Sequence, residues 1–280
     1  MSSIKIVTDS TVDLTKEEIE EWGISVIPLS ISINNETYLD RVEITPKTFL
    51  EKMKNSKELP KSSQPPIGKF VEMYDHLGSD GSQILSIHMT GNMSGTVRTA
   101  ESAAEMSKAS VTVVDSRFIT RGLAFQVLEA AKMANDGYSM ENILERLKTI
   151  RESTHLYVVV DTLENLVKGG RIGKGKALLG SLLHIKPIAS LEGGEYSPVS
   201  KVRSYSQVVK FLSKQFVNDI AGKTIKAAAI MHADNMELAQ ALKSKIMEAT
   251  GYEDVYIDDT TPIISTHTGP GAIGFIYYAE

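Results

Sequence analysis

Residues 4–10 read Ile-Lys-Ile-Val-Thr-Asp-Ser, and the same grammar returns twice along the chain. Val111-Thr112-Val113-Val114 runs into Asp115-Ser116, and residues 156–160 (LYVVV) run into Asp161-Thr162. A β-branched run of this length reads as a buried strand. Each is followed by a stretch able to form a helix. A strand, an Asp with a hydroxyl residue and then a helix describe an α/β sheet whose loops gather at the carboxyl ends of its strands. A fourth run, QILSIH at 83–88, leads through Thr90-Gly91-Asn92-Met93-Ser94-Gly95-Thr96 into a helical stretch ending near Met106. An Asp or Ser before a helix satisfies free N–H groups, worth ~1 kcal/mol. Capping is the first meaning of Asp115 and Asp161. At Asp9 capping and chemistry compete, because Asp9, Ser10, Thr11 and Asp13 crowd one strand end.

Helical periods follow at 123–135 and 140–152, which places a domain boundary near Ser153. The chain divides into an N-terminal α/β domain, residues 1–152, and a C-terminal α/β domain, residues 153–280. The second half predicts strands at 185–191, 196–202, 223–232, 255–257, 262–266 and 274–279. Helices fit 206–219 and 236–250. Residues 56–66 (SKELPKSSQPP) read as a polar, Pro-rich loop.

The 280 residues are 42% hydrophobic and 23% charged, the balance of an ordinary globular protein. There is no cysteine, which removes disulfides, thiol nucleophiles and thiolate metal sites together. The six histidines are scattered, with no pair at i, i+4, so no metal site is expected. Five of them read as packing or surface residues. A net charge of −5 leaves no basic footprint for nucleic acid. No apolar run approaches the ~20 residues of a membrane span. The beginning, MSSIKIVTDST, lacks a signal-peptide apolar region, so the expected location is cytoplasmic.

Residues 267–274 read HTGPGAIG. Gly269, Gly271 and Gly274 satisfy G-x-G-x-x-G, but a dinucleotide site needs a strand before this pattern and a helix after it. Residues 262–266 (PIIST) suit the strand; residues 274–279 also look like a strand, so the helix is missing. What remains is a glycine loop whose N–H groups, at Gly269 and Gly271, can form an anion nest with His267 at its entrance. A carboxylate or phosphate site follows, not a nicotinamide site. Residues 170–177 (GRIGKGKA) approach a P-loop, yet Ala177 stands where the magnesium-binding hydroxyl belongs. ATP binding here is not expected. Arg171, set between glycine and Ile172, is suited to bidentate recognition of a carboxylate or phosphate. Ser94-Gly95-Thr96, where a loop becomes a helix, reads as an N-cap that can also hold an oxyanion. Ser62 and Ser63 add hydroxyls before Gln64-Pro65-Pro66. The apolar stretch 178–188 (LLGSLLHIKPI) reads as a buried helix entering a strand, or as the wall of an apolar cavity.

Taken in order, IVTDSTVDL, SSQP, MSGT, VDS, DTLENLVKGGRI, LLGSLLHIKPI, KVRS and HTGPGAIG resemble the DegV family of bacterial fatty-acid-binding proteins. The resemblance spans essentially the whole chain. It implies two α/β domains with a ligand cavity between them. The ligand implied is a long-chain fatty acid, its tail buried and its carboxylate near the surface. A separate ATP-dependent fatty-acid kinase would phosphorylate that carboxylate for phospholipid synthesis, so this chain itself would be no enzyme and carry no cofactor. By position, Ser62, Ser94 and His267 would hold the carboxylate; Ser62 stands where Thr is usual. Arg171 and Arg203 would face the head group, its phosphate or the kinase. Gly91 and Val97 depart from the family's frequent Ser and Tyr, which bears on the portal or the lipid preference.

The alternatives are a stand-alone phosphotransferase or esterase using Asp9 or Ser94 with His267, and a regulatory sensor of a small amphiphile. The energetics suit a carrier. Each buried CH₂ contributes about 0.8 kcal/mol, so a tail of roughly 14 to 18 carbons supplies on the order of ten kcal/mol. The head group then needs only hydrogen bonds or a counter-charge.

Overall fold

All three Asp-terminated runs form strands, and the computed structural model describes them within residues 3–178 and 185–280. In chain order the first half comprises β1 (Ile4–Asp9), α1 (Lys16–Trp22), β2 (Ser25–Ile27), β3 (Ser30–Ile33), β4 (Glu36–Leu39), α2 (Pro46–Lys54), β5 (Lys61–Ser63), α3 (Ile67–Leu77), β6 (Gln83–His88), α4 (Thr96–Met106), β7 (Ser110–Asp115), α5 (Thr120–Asn135) and α6 (Met140–Ser153). The second half comprises β8 (Thr154–Val159), α7 (Glu164–Lys168), β9 (Lys186–Ser190), β10 (Ser197–Val202), α8 (Tyr205–Asp219), β11 (Ile225–His232), α9 (Met236–Thr250), β12 (Val255–Asp259), α10 (Pro262–Thr268) and β13 (Ile273–Ala279).

The fold is α/β, as expected, with three sheets among the described residues. Strands β2-β1-β6-β7 form a parallel sheet. Strands β10-β9-β8-β13-β11-β12 form a mixed sheet in which only the β11–β12 pair is parallel. Strands β4-β3-β5 make a small antiparallel sheet. Helices α3 and α4 cover the outer face of the first sheet through Phe70, Tyr74, Ala100 and Ala103. Helices α8 and α9 cover the second through Val208, Phe216, Leu238 and Leu242. The largest core lies between the two sheets. Helix α5 fills part of it and touches β1 and β6 on one side and β8, β11 and β13 on the other. Every residue from Thr120 to Val127 is buried, which explains why this segment lacks a polar face.

Two expectations change. Residues 262–266 are not a strand but the first turns of α10, with Pro262 at the first helical position. Proline is pre-organised for that position, and this outweighs the strand preference of Ile263, Ile264 and Thr266. Residues 56–66 are not all loop: Lys61–Ser63 forms β5, with Ser62 opposite Ile31 in β3. Most of the apolar stretch 178–188 lies outside the described residues; its end, Lys186–Ile188, enters β9.

Candidate ligand site

Strand β5 and helix α10 bring Ser62 and His267 together. Ser62 Oγ lies 2.7 Å from His267 Nε2. The other ring nitrogen, Nδ1, is buried with no partner among the described residues. The ring lies so close over Gly169 that a methyl group there would overlap Nδ1. Burial, then the nearby Arg171 charge, lowers the imidazole pKa to about 4. His267 is therefore neutral at pH 7.

Arg171 follows the turn after α7. Its Nε donates to Met93 O at 3.0 Å and Nη1 to Gly169 O at 2.6 Å. Both acceptors are neutral, and no carboxylate pairs with this half-buried guanidinium among the described residues. Burial lowers its pKa without removing the charge. Met93 begins the loop that carries Ser94. Ser94 Oγ lies 2.8 Å from Thr96 Oγ1 and accepts from the Thr96 N–H at 3.3 Å. The local, cap-like role of Ser94 is thus present, although the N-cap position of α4 is Gly95.

Ser62, Ser94, Arg171 and His267 all line one cavity of about 310 Å³ between the sheets. Its remaining wall is largely apolar and includes Leu29, Ile119, Val158, Leu191 and Ile263. A second, more polar chamber of about 650 Å³ shares Ser62, Arg171 and His267 with the first. It adds Lys57, Lys61 and Lys168 together with Glu58 and Glu164; Lys168 pairs with Glu164 at 2.6 Å, and the basic groups remain in excess. The Ser–His–Arg cluster therefore stands at the junction of an apolar cavity and a basic chamber. A carboxylate with a long apolar tail is the chemistry that such a junction accepts.

Other expected site residues lie elsewhere. Arg203 is exposed at the end of β10 and lines neither chamber; its backbone N–H donates to Gln207 Oε1 at 2.7 Å. The anion nest does not form. The Gly269 N–H donates to Ser265 O at 2.9 Å and the Gly271 N–H to Ala233 O at 2.7 Å, so both donors serve the fold. Their φ values of 76° and 83° turn the chain from α10 into β13, which is why glycine is needed there. Asp161 binds Lys186 Nζ at 2.5 Å and Tyr205 OH at 2.7 Å, not the N-terminus of α7. Asp115 accepts from the N–H groups of Arg117 and Gly91 at 2.8 and 3.1 Å, ordering two loops.

Asp9 is fully buried and engaged on both oxygens. It accepts from the Thr11 N–H and hydroxyl at 3.0 and 2.7 Å, from the Met89 N–H at 2.9 Å, and lies 3.0 Å from His88 Nδ1. Burial opposes its charge, but these bonds prevail and hold its pKa below the ordinary value. Beyond His88 the chain continues to Ser86 and Tyr74, each step 2.7 Å. The connectivity copies a Ser–His–Asp triad, yet all of it is sealed in the core. Its products are positional: Thr11 and Met89, held by Asp9, both line the apolar cavity.

Sequence reading missed two carboxylates that hold α10. Asp13 accepts from Thr260 Oγ1 and the Thr261 N–H, both at 2.9 Å, and Asp40 accepts from the Ile263 N–H at 3.2 Å. Burial pushes their pKa values up to about 6 and about 7. Asp13 follows the crowded end of β1, which was a signal; nothing local distinguished Asp40. Among the described residues no group of three or more His, Asp or Glu could hold a metal ion, and no helix is long and apolar enough to cross a membrane.

Comparison with known proteins places relatives beside this geometry. The family model described as "Uncharacterised protein, DegV family" matches residues 3–280. A DegV domain-containing protein of Listeria monocytogenes is 44% identical over 281 residues, covering 100% of each chain. Among solved structures, the fatty-acid-binding DegV family protein of Thermus thermophilus superposes with a TM-score of 0.94 at 32% identity, covering 99% of this chain and 100% of its own. DegV of Bacillus subtilis, also described as a fatty-acid-binding protein, gives 0.91 at 32% identity with full coverage of both chains.

Proposed function

The chain belongs to the DegV family, and from that premise we propose that it binds one long-chain fatty acid and presents its carboxylate to a separate ATP-dependent fatty-acid kinase. The tail occupies the apolar cavity between the domain of residues 1–152 and that of residues 153–280. The carboxylate meets Ser62, Ser94 and His267, with Arg171 as its counter-charge. The observation that carries this reading is Arg171. A half-buried guanidinium bonded, among the described residues, only to carbonyl oxygens at the mouth of an apolar cavity calls for an anion with an apolar body. That two solved relatives are described as fatty-acid-binding proteins supports the same ligand.

The cavity volume, about 310 Å³, is at the lower end of the usual range for small-molecule sites. The kinase would approach from the basic chamber. There a carboxylate oxygen attacks the γ-phosphorus of ATP on the kinase, ADP leaves, and the acyl phosphate stays on this chain for phospholipid synthesis. Arg171 borders both chambers, so it can stabilise the charge that grows during that transfer. The reading of an independent esterase or phosphotransferase has less support. Asp9 is sealed, Ser94 bonds to Thr96, and among the described residues His267 has no carboxylate behind Nδ1 to orient it. An imidazole whose pKa is lowered to about 4 is also a poor general base.

The test is native mass spectrometry and titration of delipidated protein with long-chain acids. Saturable binding at one acid per chain is expected. Absence of saturable binding for every acid of C14 to C18 would overturn the reading.

A further inference from the structure

Gly274 is the one glycine of the G-x-G-x-x-G pattern that the turn into β13 does not explain. Gly269 and Gly271 have positive φ values and Gly274 does not. Crowding does not require it either. A methyl group on Gly274 would lie 3.5 Å from Ile276 Cδ1 and 3.6 Å from Leu156 Cδ1, ordinary van der Waals contacts. A glycine inside a strand loses conformational entropy and leaves nothing to pack, so the missing side chain needs another reason.

The register supplies one. Strand β13 lies between β8 and β11, and Gly274 pairs with Val158 on one side and Met231 on the other. Residues directly opposite one another project from the same face of a sheet. Here that face looks into the core between the two sheets, to which Val158 and Met231 belong. Gly274 is therefore a gap between two large side chains, and it stays partly accessible although strands flank it on both sides. A chamber of about 20 Å³ lies there, lined by all three residues and almost wholly apolar. That is room for about one water-sized or methyl-sized group. The chamber shares Ile119, Val158, Ile264 and Thr268 with the apolar cavity. None of Ser62, Ser94, Arg171 and His267 lines it, so it adjoins the cavity on a side without head-group residues.

We propose that Gly274 sets the acyl-chain length: the methyl end of the bound acid finishes in the gap between Val158 and Met231. The inference rests on the fatty-acid reading above and names the residue that selects among acids. Each further buried CH₂ improves affinity about fourfold, until the gap is full. The next carbon must displace close-packed side chains, and the gain stops.

The experiment titrates delipidated wild type, Gly274→Ala, Gly274→Val and Met231→Ala with saturated acids from C12 to C20, one carbon at a time. Wild-type affinity should rise to an optimum length and then fall. At that length Gly274→Ala should lose about fourfold, the equivalent of one CH₂, and Gly274→Val about tenfold, with acids two or more carbons shorter bound as in the wild type. Met231→Ala opens the same chamber and should move the optimum one or two carbons longer. Gly274→Ala makes only ordinary contacts and gains strand stability, so without ligand it should melt no lower than the wild type and reports even if Gly274→Val fails to fold. Unchanged affinity at the optimum length in Gly274→Ala overturns the proposal. So does an equal loss at every chain length in that variant, or a wild type that binds these acids with no optimum. If the wild type binds none of the acids, the fatty-acid reading itself falls, and this inference with it.

Discussion

Ser62 and His267 lie 205 residues apart in sequence and share a hydrogen bond of 2.7 Å. One comes from an edge strand of the small sheet and the other from a two-turn helix. Their meeting point, beside Arg171, is where the apolar cavity opens into the basic chamber.

Replacing Ser62 by Ala should weaken fatty-acid binding by tenfold or more, since a hydrogen bond to a charged group contributes about 1.5–3 kcal/mol. Adding Ser94→Ala should weaken it further. The melting temperature should change little for Ser62→Ala, because the side chain's one hydrogen bond among the described residues is to His267 at the site. Titration and thermal melting of both variants check this. Wild-type affinity in the double variant would put the carboxylate elsewhere.

Gly169 has an ordinary backbone conformation, so only space forbids a side chain there. In Gly169→Ala the new methyl would overlap His267 Nδ1 and lie 2.9 Å from Asn165 O. Displacing the imidazole should break the Ser62 bond and reduce affinity about as much as Ser62→Ala does. Overpacking costs typically 1–3 kcal/mol, so the melting temperature should fall by a few degrees. His267→Ala in the same chain should recover much of the stability and none of the affinity. Unchanged binding in Gly169→Ala would mean that the imidazole position is unimportant.

The two arginines expected at the head group should now separate. Arg171→Ala should lower both fatty-acid affinity and kinase-dependent acyl-phosphate formation. Arg203→Ala, at an exposed position outside both chambers, should lower the kinase rate alone if that surface meets the kinase. Equilibrium binding and turnover with the cognate kinase and ATP are measured on each variant. Normal values in both assays for Arg171→Ala would remove it from the site.

Stability should fall as pH rises from 6 to 8. The folded pKa values of Asp13 and Asp40, about 6 and about 7, lie above the ordinary 3.8. The folded chain therefore holds protons that the unfolded chain releases. That contribution is complete below about pH 4 and is lost as pH passes 6 and 7. His267 has the opposite sign. Its folded value of about 4 lies below the ordinary 6.5, so its contribution is lost as pH falls between them, and it adds nothing above pH 7. The melting temperature should drop by a few degrees between pH 6 and pH 8, and Asp40→Asn should remove most of that drop, since Asp13 is already half deprotonated at pH 6. A melting temperature that is flat or rises over this range would contradict the assignment.

The sequence by itself determined the α/β class and the position of most elements. Alternation and β-branched runs are local, and burial on both faces of a parallel sheet leaves a continuous apolar signature such as Ile4–Asp9. Helix α9 was legible to its last residue for the same reason, an apolar face at helical period. Ser62, Ser94, His267 and Arg171 were legible as candidates, but through the order of motifs along the chain, since none of them is distinctive in its own segment. Only the tertiary structure decided which candidates meet. It joined Ser62 to His267, placed Arg171 between them and the loop of Ser94, and left Arg203 outside. It also gave the N–H groups of Gly269 and Gly271 to backbone carbonyls and turned 262–268 into a helix held by Asp13 and Asp40. Those outcomes depend on partners tens to hundreds of residues away, and a hydrogen bond or a buried charge is set by what lies within a few ångströms in space, which no local pattern of residues encodes.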